Sequence, residues 1–210
     1  MSNLGSLYRN ARAFIEPKLY AQIRNIPDSE TLRGKHVLVL GDGLLASDIN
    51  KVLSEAGCAV AQHGLMWVPD ERYDAGIICE KLEKPVADSE GLYRLNHSSM
   101  ASLRALYFAN QNACKCVCEH SGSIINILSS DSGDFWNQEI LGLIKGIAMA
   151  MSPQHVPVNA IHFIRSEGFS AEQYRDYVYA IRSLLMLWLS GAGHMSSGNI
   201  FKVCCTGASE

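Results

Sequence analysis

The segment Gly41-Asp-Gly-Leu-Leu-Ala46 has small residues at the spacing of a turn that binds the phosphates of a dinucleotide. Gly41 permits a tight turn, and Gly43 lets the backbone approach a pyrophosphate closely. Ala46 lets the following helix pack on the preceding strand, and the N–H groups at the start of that helix attract phosphate. The spacing therefore predicts a candidate cofactor site at Gly41, Gly43, Leu44 and Ala46.

Two nearby features work against cofactor binding. Asp42 puts a negative charge in the turn, close to the expected position of a pyrophosphate. An acidic ribose ligand is expected roughly twenty residues further on, where the chain reads Ala61-Gln-His-Gly64. Gln62 or His63 could contact a ribose or a 2′-phosphate. Two interpretations stay open: a site for NAD(P), or glycines that serve only the turn, with no cofactor.

A second candidate region begins with the run Gly122–Ser130, which predicts a buried strand ending in the hydroxyls of Ser129 and Ser130. The run Ile140–Ala150 predicts the long helix that follows. Between them the chain reads Asp131-Ser-Gly-Asp-Phe-Trp-Asn-Gln138, with neither Tyr nor Lys. The hydroxyls therefore have no neighbouring acid in this stretch.

Strands and helices alternate along the chain. Continuous apolar runs such as His36–Leu40 are typical of strands that are covered on both faces. The predicted strands are 36–40, 58–61, 74–79, 123–128, 156–163 and 199–204, and the predicted helices are 47–56, 94–118, 138–151 and 171–189. This alternation predicts an α/β fold with a doubly wound parallel sheet in three α/β/α layers. We expect an N-terminal helical arm over 1–33 and a Rossmann-like domain over 34–210.

Composition narrows the class of protein. The 210 residues are 48% hydrophobic and 19% charged, as expected for one compact domain. A net charge of −3 gives no reason to expect a nucleic-acid partner. Seven cysteines, an odd number, favour a reducing compartment. Since the first residues do not resemble a signal peptide and no apolar run could span a bilayer, we expect a cytoplasmic protein without a membrane partner.

The segment Cys114-Lys-Cys-Val-Cys-Glu-His120 contains residue types that bind zinc. In an extended segment, residues on the same face lie about 7 Å apart, too far for a tetrahedral thiolate site. At a helix end, Cys114 and Cys118 share a face while Cys116 points elsewhere. No second Cys-x-x-Cys pair completes a site, so we interpret these cysteines as structural thiols and predict no metal.

The helix around 180–189 is apolar nearly all round, with the run Leu184-Leu-Met-Leu-Trp-Leu189. A helix that faces only one core does not need this pattern. We expect burial in a subunit interface, with a thick core as the alternative.

Four segments together resemble the short-chain dehydrogenase/reductase family over nearly all of 34–207. They are Gly34–Gly41, Gly122–Ser130, Gly142–Ala150 with the following Val156–Ile161, and Leu189–Val203. Their order and spacing carry the likeness, and the last segment is similar to the family's closing helix, glycine turn and final strand. The resemblance implies the family's Rossmann-like fold and an NAD(P)-binding oxidoreductase scaffold. It also implies two-fold contacts, one of which involves the last helix and strand.

The chain departs from the family pattern at each place where the family holds its cofactor. With Gly41 as the first glycine, Leu45 and Ser47 occupy the positions of the other two. The family's Asn-Asn-Ala-Gly and Pro-Gly elements are absent after the matching strands. The positions of the family's acid/base Tyr and its Lys fall near Gly133 and Asn137.

The family's catalytic Ser matches Ser129 or Ser130. Without the Tyr, we interpret either one as a strand-end hydroxyl and identify no convincing catalytic residue.

A narrower likeness concerns high-molecular-weight 3-ketoacyl-thioester reductases. The lead-in Ser29–Arg33, the preceding arm and the shortened loop before Gln138 resemble the non-catalytic N-terminal region of those enzymes. This implies a pseudoenzyme that acts through assembly, as a homodimer or with an active 3-ketoacyl reductase of fatty-acid or polyketide-type metabolism, through helix 180–189 and the final strand. The alternative is an active NAD(P)-dependent, 3-oxoacyl-thioester reductase-like enzyme with a non-standard acid/base. A nucleotide sensor is a third hypothesis.

Overall fold

The computed structural model describes residues 32–68, 70–82, 86–87, 93–94, 97–117, 122–131, 135–165, 170–190 and 197–204. One sheet consists of six parallel strands in the order β2-β1-β3-β6-β7-β8. These strands are β1 (His36–Leu40), β2 (Ala59–His63), β3 (Ala75–Leu82), β6 (Ser123–Asp131), β7 (Val158–Arg165) and β8 (Ile200–Cys204). The short strands β4 (Val86–Ala87) and β5 (Tyr93–Arg94) pair antiparallel.

Helices cover both faces of the sheet. They are α1 (Leu44–Glu55), α2 (His97–Cys116), α3 (Phe135–Met151) and α4 (Ala171–Leu189). Val37 and Val39 of β1 pack in the core with α1 and α4, whereas Leu38 and Leu40 pack in the core with α2 and α3. Because successive strand residues point to opposite faces, a strand in the middle layer must be apolar throughout. The predicted doubly wound, three-layer fold is confirmed.

The element boundaries move where long-range pairing extends a strand. β6 continues to Asp131, three residues beyond the predicted end at Leu128, because its last residues pair with β3 and β7. α3 begins at Phe135 instead of the predicted Gln138. The connector between the strand-end hydroxyls and α3 is therefore only residues 132–134.

α1 begins at Leu44, three residues before the predicted start at Ser47. Gly43 directly precedes it with a φ of 86°, a left-handed conformation that glycine adopts easily. β7 begins two residues after and ends two residues beyond the predicted strand 156–163, and it continues to Arg165.

The direction of the chain across the sheet reverses at β1. From β1 it passes to β2 on one side, and then returns to β3 on the other side of β1. In open α/β sheets a crevice forms at such a switch point, outside the carboxyl ends of the strands. The fold therefore predicts a ligand site between the ends of β1 and β3.

The apolar residues 184–189 of α4 are all buried within a single chain, and the most exposed, Trp188, is 7% exposed. They belong to the core between α4, α1 and the sheet. A thick core therefore explains the apolar character of these residues without a partner subunit. The subunit interface through 180–189 and the final strand stays a prediction. Over the described part of the chain, no helix is both long and apolar enough to span a membrane.

Buried asparagines link α2 to the central strands. The Nδ2 atom of Asn110 donates to Oδ1 of Asn126 at 2.8 Å, and Nδ2 of Asn126 donates back to Oδ1 of Asn110 at 3.0 Å. Nδ2 of Asn126 also donates to the main-chain carbonyl of Asn159 at 3.3 Å. Since these amides satisfy one another away from water, they fix how α2 packs on β6 and thereby the position of the strand end that carries the serines.

Candidate functional site

A pocket of about 450 Å³ opens at the carboxyl ends of the strands. We name it the switch-point pocket. Its walls come from the glycine turn, from the ends of β3, β6 and β7, and from the first turns of α4. The lining residues are Asp42, Gly43, Leu44, Leu45, Cys79, Glu80, Lys81, Ser129, Phe163, Ser170, Ala171, Tyr174 and Tyr177. Its volume falls within the range of about 300–1,000 Å³ that is usual for small-molecule sites.

The two glycines of the turn have different roles. Gly41 is buried with a φ of 148°, and a Cβ atom at this position would collide with the main-chain carbonyl of Cys79. Gly43 is exposed, and a Cβ there would meet nothing within 4 Å, so only its φ of 86° requires glycine. Gly41 therefore serves the contact between β1 and β3, while the open space at Gly43 leaves the start of α1 accessible from the pocket.

The other two predicted cofactor positions, Ala46 and Leu44, also differ in exposure. Ala46 is fully buried in the core beneath α1, whereas Leu44 is 67% exposed at the edge of the switch-point pocket. α1 has neither a side-chain cap nor an acidic residue in its first turn. Its first N–H groups therefore retain the partial positive charge that attracts anions. Whether a phosphate binds there stays a prediction.

Asp42 lies between this helix start and the end of β2. Its carboxylate oxygens are 3.5 Å from the point that a Cβ on Gly64 would occupy. The side chain is exposed and also lines the switch-point pocket. A fixed negative charge here opposes the attraction of α1 for a phosphate.

The two candidate ribose contacts bind other parts of the chain. Oε1 of Gln62 accepts a hydrogen bond from Nδ2 of Asn50 at 2.9 Å. The ring of His63 stacks on that of Trp67, with 3.7 Å between centroids and an interplanar angle of 6°. Neither is among the described residues that line the switch-point pocket.

Of the two strand-end serines, only Ser129 reaches the switch-point pocket, and it is 8% exposed. Ser130 is fully buried, and its Oγ lies 2.8 Å from Nε2 of His162. Adjacent strand residues point to opposite faces, which separates the two hydroxyls. Ser129 is therefore the hydroxyl that a ligand in the pocket could contact.

Two tyrosines of α4 complete the pocket, and the sequence reasoning missed both. Only residues 166–170 separate β7 from α4, so the first turns of α4 lie over the ends of the strands. The hydroxyl of Tyr174 donates to Oδ2 of Asp48 on α1 at 2.7 Å. The ring of Tyr177 stacks on that of Phe163, with 3.6 Å between centroids. Their spacing of three residues near a helix start was the available signal, because it puts both on one face.

The environment of Tyr174 keeps its phenol protonated. Burial raises its pKa, and the hydrogen bond to the carboxylate of Asp48 raises it further. A tyrosine that is tuned as a proton donor near neutral pH needs a lowered pKa, typically from a nearby cation. Tyr174 has the opposite arrangement.

Cys79 brings a thiol, which is a potential nucleophile, to the switch-point pocket. Burial raises the pKa of its thiol, and the nearby charge of Glu80 adds to this effect. Since the thiolate is the reactive form, Cys79 is a poor nucleophile at neutral pH.

The other predicted positions give less information. Gly133 lies outside the described residues, as do the arm 1–31, Cys118 and the side chain of Asn137. Cys114 and Cys116 are buried, as structural thiols are expected to be. Within the described ranges, no three His, Cys, Asp or Glu side chains come together as metal ligands.

Comparisons with known proteins agree on the fold. No protein-family model and no curated protein sequence matches the chain. A short-chain dehydrogenase/reductase from Serratia marcescens superposes with a TM-score of 0.57 and 14% identity, over 83% of this chain and 98% of that one. A short-chain dehydrogenase from Leptospira borgpetersenii with bound NAD⁺ superposes with a TM-score of 0.58 and 14% identity, over 83% and 93%.

The chain has the short-chain dehydrogenase/reductase fold. In this fold the switch-point pocket occupies the crevice where open α/β sheets bind ligands. The residues that line it differ from an activated tyrosine–lysine pair: the phenol of Tyr174 is bonded to a carboxylate, and Lys81 is the only described cation in the lining.

Proposed function

We propose that this chain is a pseudoenzyme of the short-chain dehydrogenase/reductase fold, which acts through binding and assembly and not through catalysis. The observation that carries the proposal is the hydrogen bond between Tyr174 and Asp48. A phenol that lines the pocket is held by a carboxylate at 2.7 Å, and its pKa is raised. Reduction of a carbonyl needs a positioned acid that releases its proton in the transition state.

The hydroxyl, thiol and ammonium groups that also line the pocket are poor replacements for that acid. Ser129 has a hydroxyl whose ordinary pKa is far too high for a neutral-pH acid, and the thiol pKa of Cys79 is raised by burial. Lys81 is exposed, so water competes with a bound ligand for its ammonium group. The pocket is therefore better suited to hold a ligand than to protonate one.

We propose an active 3-ketoacyl reductase as the partner. The likeness of Ser29–Arg33 and the shortened loop to the non-catalytic region of 3-ketoacyl-thioester reductases supports assembly with an active 3-ketoacyl reductase, in fatty-acid or polyketide-type metabolism. We propose helix 180–189 and the final strand as the contact. Since residues 184–189 are buried in one chain, the half-buried Arg182 and Ser183, together with the exposed Tyr179 just before this segment, would meet the partner.

A steady-state assay tests the catalytic part. The purified chain is mixed with NADPH or NADH and acetoacetyl-coenzyme A, and dinucleotide oxidation is followed by absorbance. We expect no rate above that of the protein-free mixture, and the same background from Ser129→Ala and Tyr174→Phe. A rate that rises with protein concentration and falls in either variant would overturn the proposal.

An active oxidoreductase is the second candidate. It is favoured by the uncapped start of α1, by the presence of Ser129 and Tyr174 in one pocket, and by the NAD⁺ bound to the structurally similar Leptospira protein. In that case the dinucleotide would bind along the glycine turn, and Tyr174 would leave Asp48 to act as the acid. Titration with NADH and NADPH separates the candidates, because the active-oxidoreductase hypothesis fails if millimolar dinucleotide neither quenches Trp emission nor raises the melting temperature.

A further inference from the structure

The charges around the switch-point pocket are unfavourable for an anion. Asp42 and Glu80 line it, and Lys81 is the only cation among the described lining residues. The two carboxylates and one ammonium among the described lining residues give a charge of −1. Asp48 adds a carboxylate behind Tyr174, at 2.7 Å from the phenol oxygen. A pyrophosphate that approached the start of α1 would therefore meet the field of several carboxylates.

Most of the wall is apolar or aromatic. Leu44 and Leu45 form the side that belongs to the glycine turn, and Leu44 is 67% exposed. Phe163 and Tyr177 form a stacked pair on the opposite side, and Ala171 lies at the start of α4. An exposed leucine beside a concave apolar wall indicates a surface that a ligand would cover.

Polar groups that could orient a neutral ligand lie among these apolar residues. Ser129 brings a hydroxyl to the floor of the pocket from the end of β6, and Ser170 brings another from the start of α4. A hydroxyl can both donate and accept a hydrogen bond. The hydroxyl of Ser129 therefore suits a neutral hydrogen-bonding group on a ligand and does not require that the ligand be charged.

We infer that the switch-point pocket binds an uncharged, mainly apolar molecule, and that Asp42 selects against anions of similar shape. The inference rests on the proposed function, since it gives a ligand class to a pocket that performs no chemistry. It also assigns a specificity-determining role to Asp42, whose carboxylate lies beside Gly64 and lines the pocket.

A matched pair of fluorescent probes tests this inference on the full chain. N-phenylnaphthylamine is uncharged, and anilinonaphthalene sulfonate has the same two ring systems with an added negative charge. We expect the neutral probe to bind about ten-fold or more tightly than the sulfonate. Asp42→Asn should strengthen binding of the sulfonate several-fold and leave the neutral probe unchanged.

Variants that fill the pocket show where the probe binds. Ser129→Phe places a ring on the floor, and Ala171→Trp adds bulk at an exposed position that the fold tolerates more easily. Either variant should weaken binding of the neutral probe about ten-fold, because the added side chain fills the desolvated space that the probe would occupy. Met149→Trp on α3 is the matched control, because Met149 is 77% exposed and α3 covers the other face of the sheet. Met149→Trp should leave the binding of both probes unchanged.

The inference is overturned if the sulfonate binds as tightly as the neutral probe, or if neutral binding survives in both pocket variants. If Ser129→Phe fails to fold, Ala171→Trp alone decides. These titrations include neither dinucleotide nor thioester, so their failure leaves the non-catalytic proposal in place. Conversely, turnover in the reductase assay would overturn that proposal without changing which probe binds.

Discussion

The hydrogen bond between Tyr174 and Asp48 joins α4 to α1 across the pocket, and its removal should have a measurable effect on stability. A hydrogen bond to a charged group contributes about 1.5–3 kcal/mol, which we reduce to about 1–2 kcal/mol because both side chains are only half-buried. Tyr174→Phe should lower the free energy of unfolding by that amount. In a domain of this size the melting temperature should fall by roughly 2–8 °C.

A double-mutant cycle isolates the bond from other effects of each substitution. Unfolding in urea is measured for the wild type, Tyr174→Phe, Asp48→Ala and the double variant. We expect a coupling energy of about 1 kcal/mol or more between the two positions. Purely additive losses would show that the pair contributes nothing and that Tyr174 is not held by Asp48.

The pH dependence gives an independent check with a defined sign. The folded-state pKa of Tyr174 is raised above that of the unfolded chain. Its contribution to stability is therefore complete below the unfolded value of about 10, and is lost as the pH rises through the folded value. Between pH 8 and 11 the wild type should lose more stability than Tyr174→Phe. Equal slopes for the two proteins would show that folding does not raise the pKa of Tyr174.

Three further predictions follow from single contacts. Gly41→Ala should destabilise the fold by about 2–4 kcal/mol, because its Cβ meets a main-chain carbonyl. Gly43→Ala should cost only about 1–2 kcal/mol, for its positive φ. A larger loss for Gly43→Ala than for Gly41→Ala in urea denaturation would contradict the assignment. Asn126→Leu should cost about 2–4 kcal/mol because it leaves Asn110 buried without this partner, and adding Asn110→Leu should recover part of the loss in the same assay. Cys79 should react with iodoacetamide at pH 8 far more slowly in the native protein than in urea, since burial raises its thiol pKa, and mass spectrometry that found equal rates would refute this.

The sequence predicts the sheet well, because a strand that is covered on both faces must be apolar throughout. β1 and α4 have the predicted bounds, and the parallel order follows from alternation of strands and helices. The ends of β3 and β6 extend beyond their apolar runs because neighbouring strands supply hydrogen bonds to polar residues there. Such pairing is a property of the assembled sheet and has no local pattern in the sequence.

The pocket was only partly predictable. The glycine turn and Ser129 follow from local motifs, and the structure brings both to the same pocket. The bond between Tyr174 and Asp48 joins residues 126 positions apart, so no local pattern indicates it. The sequence could not predict that residues 184–189 are buried within one chain, since an apolar helix has the same sequence pattern in a thick core as in an interface.

Hydride transfer measured with an isotope distinguishes a pseudoenzyme from an active reductase. The purified chain is incubated for hours with NADPH deuterated at the transferable position and with acetoacetyl-coenzyme A, and deuterium in the hydroxyacyl product is counted by mass spectrometry. We expect no label above the protein-free mixture, because the phenol of Tyr174, which lines the pocket, is bonded to a carboxylate and its pKa is raised. Label that accumulates with the wild type and disappears with Tyr174→Phe would contradict it, and would identify Tyr174 as the acid.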